Sequence, residues 1–246
     1  MFRLNLPDTF SGEFDRSPQD LSDRVIRSGL TPFAYLEDGG SCEDGYAYRI
    51  APTTEETGQA SSLGTASIPW HSDNSCLTYE NRPDYLFLGC VENPGNTEFA
   101  IADIQAVVRL LPVWVLNELT QPQYSFHFPH SFSRGGVSEV VHNQPILTCS
   151  QGIASWEVAF NEGLTTSEND QAILALSALS RSLDYWHHTV ILRPGQWVAF
   201  NNRRYVHRRG TPHPGRLLYR IYAQRTLESI TLKRVTQNLF TITHEL

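Results

Sequence analysis

The sequence predicts a mainly β fold, a sandwich or jelly roll with helices packed on its outside. Short runs rich in aromatic and branched residues recur along the chain, bounded by Pro, Gly and Asn turns. Few segments carry a helical period. The 246 residues, 40% of them hydrophobic, suit one large core better than two small ones. These observations favour outer helices on a β core and a single domain over 1–246, with about 1–66 leading into the core.

The N-terminal part mixes Pro, Gly, Asp and Ser with short apolar runs and supports one helix, around Pro18 to Ser28. Thr53 to Ser67 is rich in Thr, Ser, Gly and Glu without apolar periodicity and reads as a long loop of the kind that often carries function. Asp84 to Val91 and Thr97 to Ile101 read as strands joined by the turn Asn93-Pro94-Gly95-Asn96. Asp103 is an N-cap for Ile104 to Leu110, and Pro112 opens a second helical segment to about Leu119. The strongest helix is Glu168 to Trp186. Ser167 and Asp170 resemble a capping pair there, and Ala172, Leu176, Leu179, Leu183 and Trp186 form an apolar stripe. Thr189 to Leu192 and Trp197 to Phe200 are strands around the turn Arg193 to Gln196. Leu217 to Gln224 is the last strand, after the Pro/Gly-rich loop Gly210 to Gly215.

A net charge of −7, with no block of five basic residues, argues against a nucleic-acid binder that tracks phosphates. The N-terminus lacks the charged and apolar regions of a signal peptide, and no apolar run is long enough to cross a bilayer. Cys42, Cys76, Cys90 and Cys149 are widely spaced and form no C-x-x-C pair, which suits free thiols in a reducing cytoplasm. The expectation is a cytoplasmic protein with a small-molecule partner, no nucleic acid and no membrane. Oligomeric state is not legible.

Two short segments carry the chemistry. In Pro69-Trp70-His71-Ser72-Asp73-Asn74, His-x-Asp on an extended strand places both side chains on one face, because strand side chains alternate. In Asn201-Asn202-Arg203-Arg204-Tyr205-Val206-His207, the last residue supplies a second imidazole. Two histidines and a carboxylate occupy one face of an octahedral iron and leave three positions open.

The motif PWHSD near position 70, the turn and strand GNTEFA at 95–100, and NNRRYVHRRG…GRLLYR at 201–220 together resemble the taurine dioxygenase and clavaminate synthase-like superfamily. The resemblance runs over roughly residues 65–226. The last block looks like that of carbapenem synthase, and NRPDYLFLGCVEN like the amino-acid hydroxylases of the group. The resemblance implies a double-stranded β-helix and an oxygenase using Fe(II), 2-oxoglutarate and O2, with His71, Asp73 and His207 as metal ligands and catalytic centre. It implies that Thr97 and Arg216 hold the distal carboxylate of 2-oxoglutarate, which a guanidinium fork binds bidentately. Arg220, four residues on along the strand, is implied for the substrate's acidic group. The implied reaction is oxidation, by default hydroxylation, of an unactivated C–H bond. The implied substrate is an amino acid or an amino-acid-derived natural-product intermediate, with a sulfonate or other small organic acid as alternative.

There are departures. Relatives usually carry Asp-Asn where this chain has Asn201-Asn202. The short spacing from His207 to Arg216 makes Arg209 a competing anion contact, and the abbreviated N-terminal part leaves the substrate lid unassigned. Asp73 argues against the halogenating branch, where a small residue stands at that position.

Other residues have plainer readings. Arg203, Arg204 and Arg208 suit a solvated face. His187 and His188 suit the C-terminal end of a helix, and Cys76 suits packing. Trp70 is a core residue or a pocket wall against the substrate. His127, His130 and His142 are candidates for the pocket mouth, and Ser138 and Glu139 for a substrate ammonium group. A redox-silent metal-dependent isomerase or binding protein is the rival class; it needs neither Thr97 nor Arg216.

Overall fold

A computed structural model describes residues 3–35, 42–129, 140–150, 155–225 and 242–243. His130, Ser138 and Glu139 lie outside the described residues. The strands begin with β1 (Thr9–Glu13), β2 (Thr31–Tyr35), β3 (Cys42–Glu43), β4 (Ala47–Ile50), β5 (Ile68–His71) and β6 (Tyr85–Glu92). Then come β7 (Phe99–Asp103), β8 (Tyr124–His127), β9 (Val140–Gln144), β10 (Leu147–Ser150), β11 (Ser155–Val158) and β12 (Thr165–Thr166). The last are β13 (His188–Val190), β14 (Gln196–Asn201), β15 (Tyr205–Arg209), β16 (Leu217–Gln224) and β17 (Ile242–Thr243). The helices are α1 (Pro18–Arg27), α2 (Ile104–Val107), α3 (Val113–Leu119) and α4 (Asp170–Tyr185). The fold is mostly β with few helices, and no described helix is long and apolar enough to cross a membrane.

Two sheets frame the interior. The larger has the order β1-β14-β6-β16-β2-β17, with β4 also paired to β16 and β3 to β4. The smaller has the order β13-β7-β15-β5, and both are antiparallel within. Tyr85 to Cys90 of β6 are buried without a break, because both faces of this strand are covered. Phe87 faces Leu21 and Val25 of α1, whereas Leu86 and Leu88 face the main core. Gly89 lies where α1 closes on the sheet. A Cβ there would stand 2.8 Å from the Phe14 ring and 3.0 Å from Leu21, so a larger residue would push the helix off. The two sheets meet through Phe99 of β7, stacked on Phe200 of β14 at 6.5 Å between ring centroids.

Several boundaries differ from the sequence reading. α4 is capped by Asn169, whose side chain accepts from the backbone N–H of Gln171 and Ala172. Ser167 instead donates to the Gln123 carbonyl at 3.0 Å. The buried face of α4 is Ala172, Ala175, Leu179 and Leu183, while Leu176 is only partly buried and Trp186, past the helix end, is 48% exposed. α2 stops at Val107, and turns carry the chain on through Leu110. None of the four cysteines is in a disulfide, and Cys76 is packed in the core.

Candidate active site

β5 and β15 are neighbours in the smaller sheet, and their register sets His71 directly opposite His207, with ring centroids 4.1 Å apart. The sequence expectation that Asp73 shares a strand with His71 is corrected. β5 ends at His71, and Asp73 sits in the turn that follows. That turn is held from far along the chain. Asn202 accepts from the Asp73 N–H at 2.8 Å and donates to the Asp73 carbonyl at 3.0 Å, and next in the chain Asn74 takes a left-handed φ of 56°. Asn202 therefore has a defined structural task, and the Asn-Asn departure leaves it intact.

The result is convergence. Asp73 Oδ1 lies 3.2 Å from His71 Nε2 and 3.5 Å from His207 Nε2, and one ligand atom from each residue falls within 4.8 Å of the others. Nδ1 of His71 lies 2.8 Å from the Pro69 carbonyl, which can only accept, so Nδ1 carries a proton and Nε2 is the nitrogen aimed into the site. Burial and the neighbouring His71 push His207 down to about 3, which keeps its imidazole neutral, as a metal requires. For Asp73 burial acts upward. The hydrogen bond with His71 and the charge of Arg220 overcome it and hold the carboxyl far below the usual carboxylate range. A largely buried set of two imidazole nitrogens and one carboxylate oxygen fits a divalent transition metal.

The second oxygen of Asp73 is occupied by protein. Tyr222 donates its hydroxyl to Oδ2 at 2.8 Å, and Arg220 Nη1 lies 3.3 Å from the same atom. Arg220 and Tyr222 are alternate residues of β16 and so share a face. Tyr222 was missed in the sequence reading, although that alternation would have found it. Partners behind a ligand fix its orientation. Tyr222→Phe is therefore expected to weaken Fe(II) affinity roughly 10–100-fold with no loss of fold, a result that metal titration alongside a thermal melt would check.

Two cavities adjoin the triad. The smaller, about 50 Å³, is lined by His71, Asp73, His207, Arg209, Arg216 and Arg220 among others. Arg216 is 5% exposed, and its buried Nε has no hydrogen-bond partner among the described residues. Burial pulls it down to about 10, so it still carries its charge at neutral pH. A buried, incompletely satisfied guanidinium calls for an anion. Arg209 lines the same cavity and donates to the carbonyls of Gly64 and Ala66 at 3.0 and 2.6 Å. Thr97 is buried just before β7 and is not among the lining residues. Its hydroxyl accepts from the His213 N–H at 3.2 Å. The larger cavity, about 280 Å³, is lined by His71, Asp73, Arg220 and Tyr222, and by loop residues including Gln59 and Ser62.

Trp70 does not line either cavity. Strand alternation turns it away from His71 into the core, where its Nε1 donates to Asp184 at 2.9 Å and Arg208 stacks over its ring. The pocket-wall reading of Trp70 is corrected accordingly. The arginines read as a solvated face are ion-paired: Arg203 with Asp84, Arg204 with Asp103 and Asp8, and Arg208 with Asp184. His187 Nδ1 lies 3.0 Å from the Asp184 carbonyl at the end of α4. His127 pairs with Thr166, and His142 with Ser125.

Comparisons with known proteins agree with this architecture. An asparagine oxygenase in complex with Fe(II), 2S,3S-3-hydroxyasparagine and succinate superposes with a TM-score of 0.74 at 23% identity, covering 91% of this chain and 71% of that one. The non-heme iron oxygenase OrfP, in complex with Fe and alpha-ketoglutaric acid, gives a TM-score of 0.68 at 20% identity, over 90% of this chain and 70% of the other. Its complex with Fe, succinate and (3R,4R)-dihydroxy-L-Arg gives 0.69 at 17%, over 96% and 76%. At these identities the likeness is one of fold. No curated protein sequence matches. The profile of the taurine catabolism dioxygenase TauD, TfdA family matches residues 10–222, most of the chain, and the chain belongs to that family.

Proposed function

We propose that this chain is an Fe(II)- and 2-oxoglutarate-dependent dioxygenase that hydroxylates an unactivated C–H bond of a free amino acid or an amino-acid-derived intermediate. The observation that carries the reading is the convergence of His71, Asp73 and His207 beside a cavity holding the incompletely paired Arg216. A redox-silent isomerase would have no use for that guanidinium. The chain would act in the cytoplasm as one oxygenase domain, a double-stranded β-helix over 1–246.

His71, Asp73 and His207 would hold the iron, which with 2-oxoglutarate and O2 supplies the oxidising chemistry. The protein's own contribution is positional. Tyr222 and Arg220 engage Asp73 Oδ2 and leave Oδ1 toward the two imidazoles. Arg216 is our candidate for the distal carboxylate of 2-oxoglutarate, a match of fork to carboxylate. Thr97, held against the backbone of His213, would support that end of the pocket from behind. Arg220 lines both cavities and is our candidate for the substrate's acidic group. The asparagine and arginine derivatives bound by the two similar oxygenases support an amino acid as substrate.

A panel of free amino acids, sulfonates and other small organic acids, assayed for succinate release with Fe(II), 2-oxoglutarate and O2, tests the assignment. At least one amino acid should raise succinate release more than about tenfold over the uncoupled rate, with a product heavier by one oxygen. Turnover confined to sulfonates or non-amino organic acids would contradict the substrate class.

A further inference from the structure

Residues 51–67, between β4 and β5, contain no strand or helix and fold back on themselves. The Thr53 N–H donates to the Leu63 carbonyl at 2.9 Å, Ala66 to Gln59 at 3.1 Å, and Gly58 to the Thr65 hydroxyl at 2.8 Å. Gln59, Ala60, Ser61 and Ser62 from this loop form one wall of the 280 Å³ cavity. The loop is tied to the sheets by two arginines. Arg209 donates from Nη2 to the carbonyls of Gly64 and Ala66, with Nη1 3.4 Å from that of Ser62, and Arg220 donates to the Ser62 hydroxyl at 3.0 Å.

Arg209 is 6% exposed and shares the inward face of β15 with His207, two residues before it. Its Nη groups grip the loop, while its Nε, like that of Arg216, is buried without a partner among the described residues. Both side chains line the small cavity, so two guanidiniums of like charge share one space. Among the described residues Arg209 has no carboxylate within ion-pair distance; backbone carbonyls satisfy its donors without cancelling its charge. An anion in the small cavity would relieve the repulsion between the two guanidiniums and favour the arrangement in which Arg209 holds the loop.

We propose that Arg209 is a positioning residue that latches loop 51–67 over the substrate cavity, and that an anion bound in the small cavity tightens the latch. The second half rests on reading that cavity as the 2-oxoglutarate site; the first half does not. Linkage makes the coupling reciprocal, so whatever loosens the loop weakens the anion by a comparable factor.

Hydrogen exchange of the peptide spanning 53–66, read by mass spectrometry on the full chain loaded anaerobically with Fe(II), tests both halves, with 2-oxoglutarate as probe. In the wild type, 2-oxoglutarate should slow exchange in this loop. Arg209→Gln should speed it at least about tenfold, confined to the loop, and Arg209→Lys should recover part of the protection. Gly64→Ala tests the latch without touching a buried arginine. A Cβ at Gly64 would lie 2.0 Å from the Gln59 carbonyl oxygen, so the backbone that presents the Gly64 carbonyl to Arg209 must shift. That variant should bind 2-oxoglutarate more weakly by about the factor through which 2-oxoglutarate protects the loop. Wild-type loop exchange in Arg209→Gln, or a rise spread evenly over the sheets, overturns the latch. Unchanged 2-oxoglutarate affinity in a loosened Gly64→Ala overturns the coupling. Absence of 2-oxoglutarate binding in the wild type defeats the cosubstrate reading and the coupling with it, and leaves the latch to be judged by the Arg209 variants alone.

Discussion

Replacing His207 with alanine leaves a folded protein without metal-dependent turnover. The imidazole offers one of the three converging donor atoms and is opposed across the sheet by another, so on the proposed reading the remaining pair cannot close the face of an octahedral ion. Fe(II) affinity should fall by more than the roughly 10–100-fold that follows loss of an outer-shell partner, and turnover by at least about a thousandfold. The fold should survive, because His207 borders an existing cavity and Phe200 and Phe99 continue to pack there. Metal content after dialysis, succinate release and a thermal melt measured together separate a lost ligand from a lost fold. Full activity in His207→Ala contradicts the metal assignment outright.

Arg216→Ala gives the second large effect, and its signature is a split between affinity and stability. Truncating one partner of a buried charge pair costs about 2–5 kcal/mol, equivalent to roughly thirtyfold to several thousandfold in 2-oxoglutarate affinity. In the ligand-free protein the same change removes a buried charge whose Nε has no partner, so the melting temperature should hold or rise. Arg216→Lys keeps a charge but loses the fork, and should fall between alanine and wild type. Titration of each variant with 2-oxoglutarate in the presence of Fe(II) checks the order. Equal affinity in all three removes Arg216 from the cosubstrate site.

Much of the fold and the three residues that converge at the candidate site were legible in the sequence, and the failures have physical causes. The strands β6, β14 and β16 show as runs of aromatic and branched residues because both faces of each are covered. The place of Asp73 was not legible, because Asn202, 129 residues away, holds the turn that carries it. Arg209 was read as a competing anion contact because its charge was visible; its hold on the loop was not legible, because the backbone carbonyls it engages have no side-chain identity to betray them. Trp70 was within reach: alternation alone puts it on the face opposite His71. Tyr222 was equally within reach, two residues past an arginine already singled out. The cap of α4 went to Asn169 rather than Ser167 because two polar side chains two residues apart compete for one task, and only their geometry decides between them.

The central claim is that one site binds both Fe(II) and 2-oxoglutarate. An anaerobic titration of the metal-free protein with Fe(II) and then 2-oxoglutarate, followed through the weak visible charge-transfer band of the joint complex, tests it most directly. The band should appear with wild-type protein and be lost in Arg216→Ala at the same 2-oxoglutarate concentration. Iron binding with no band at saturating 2-oxoglutarate would contradict the claim and leave a redox-silent metal site.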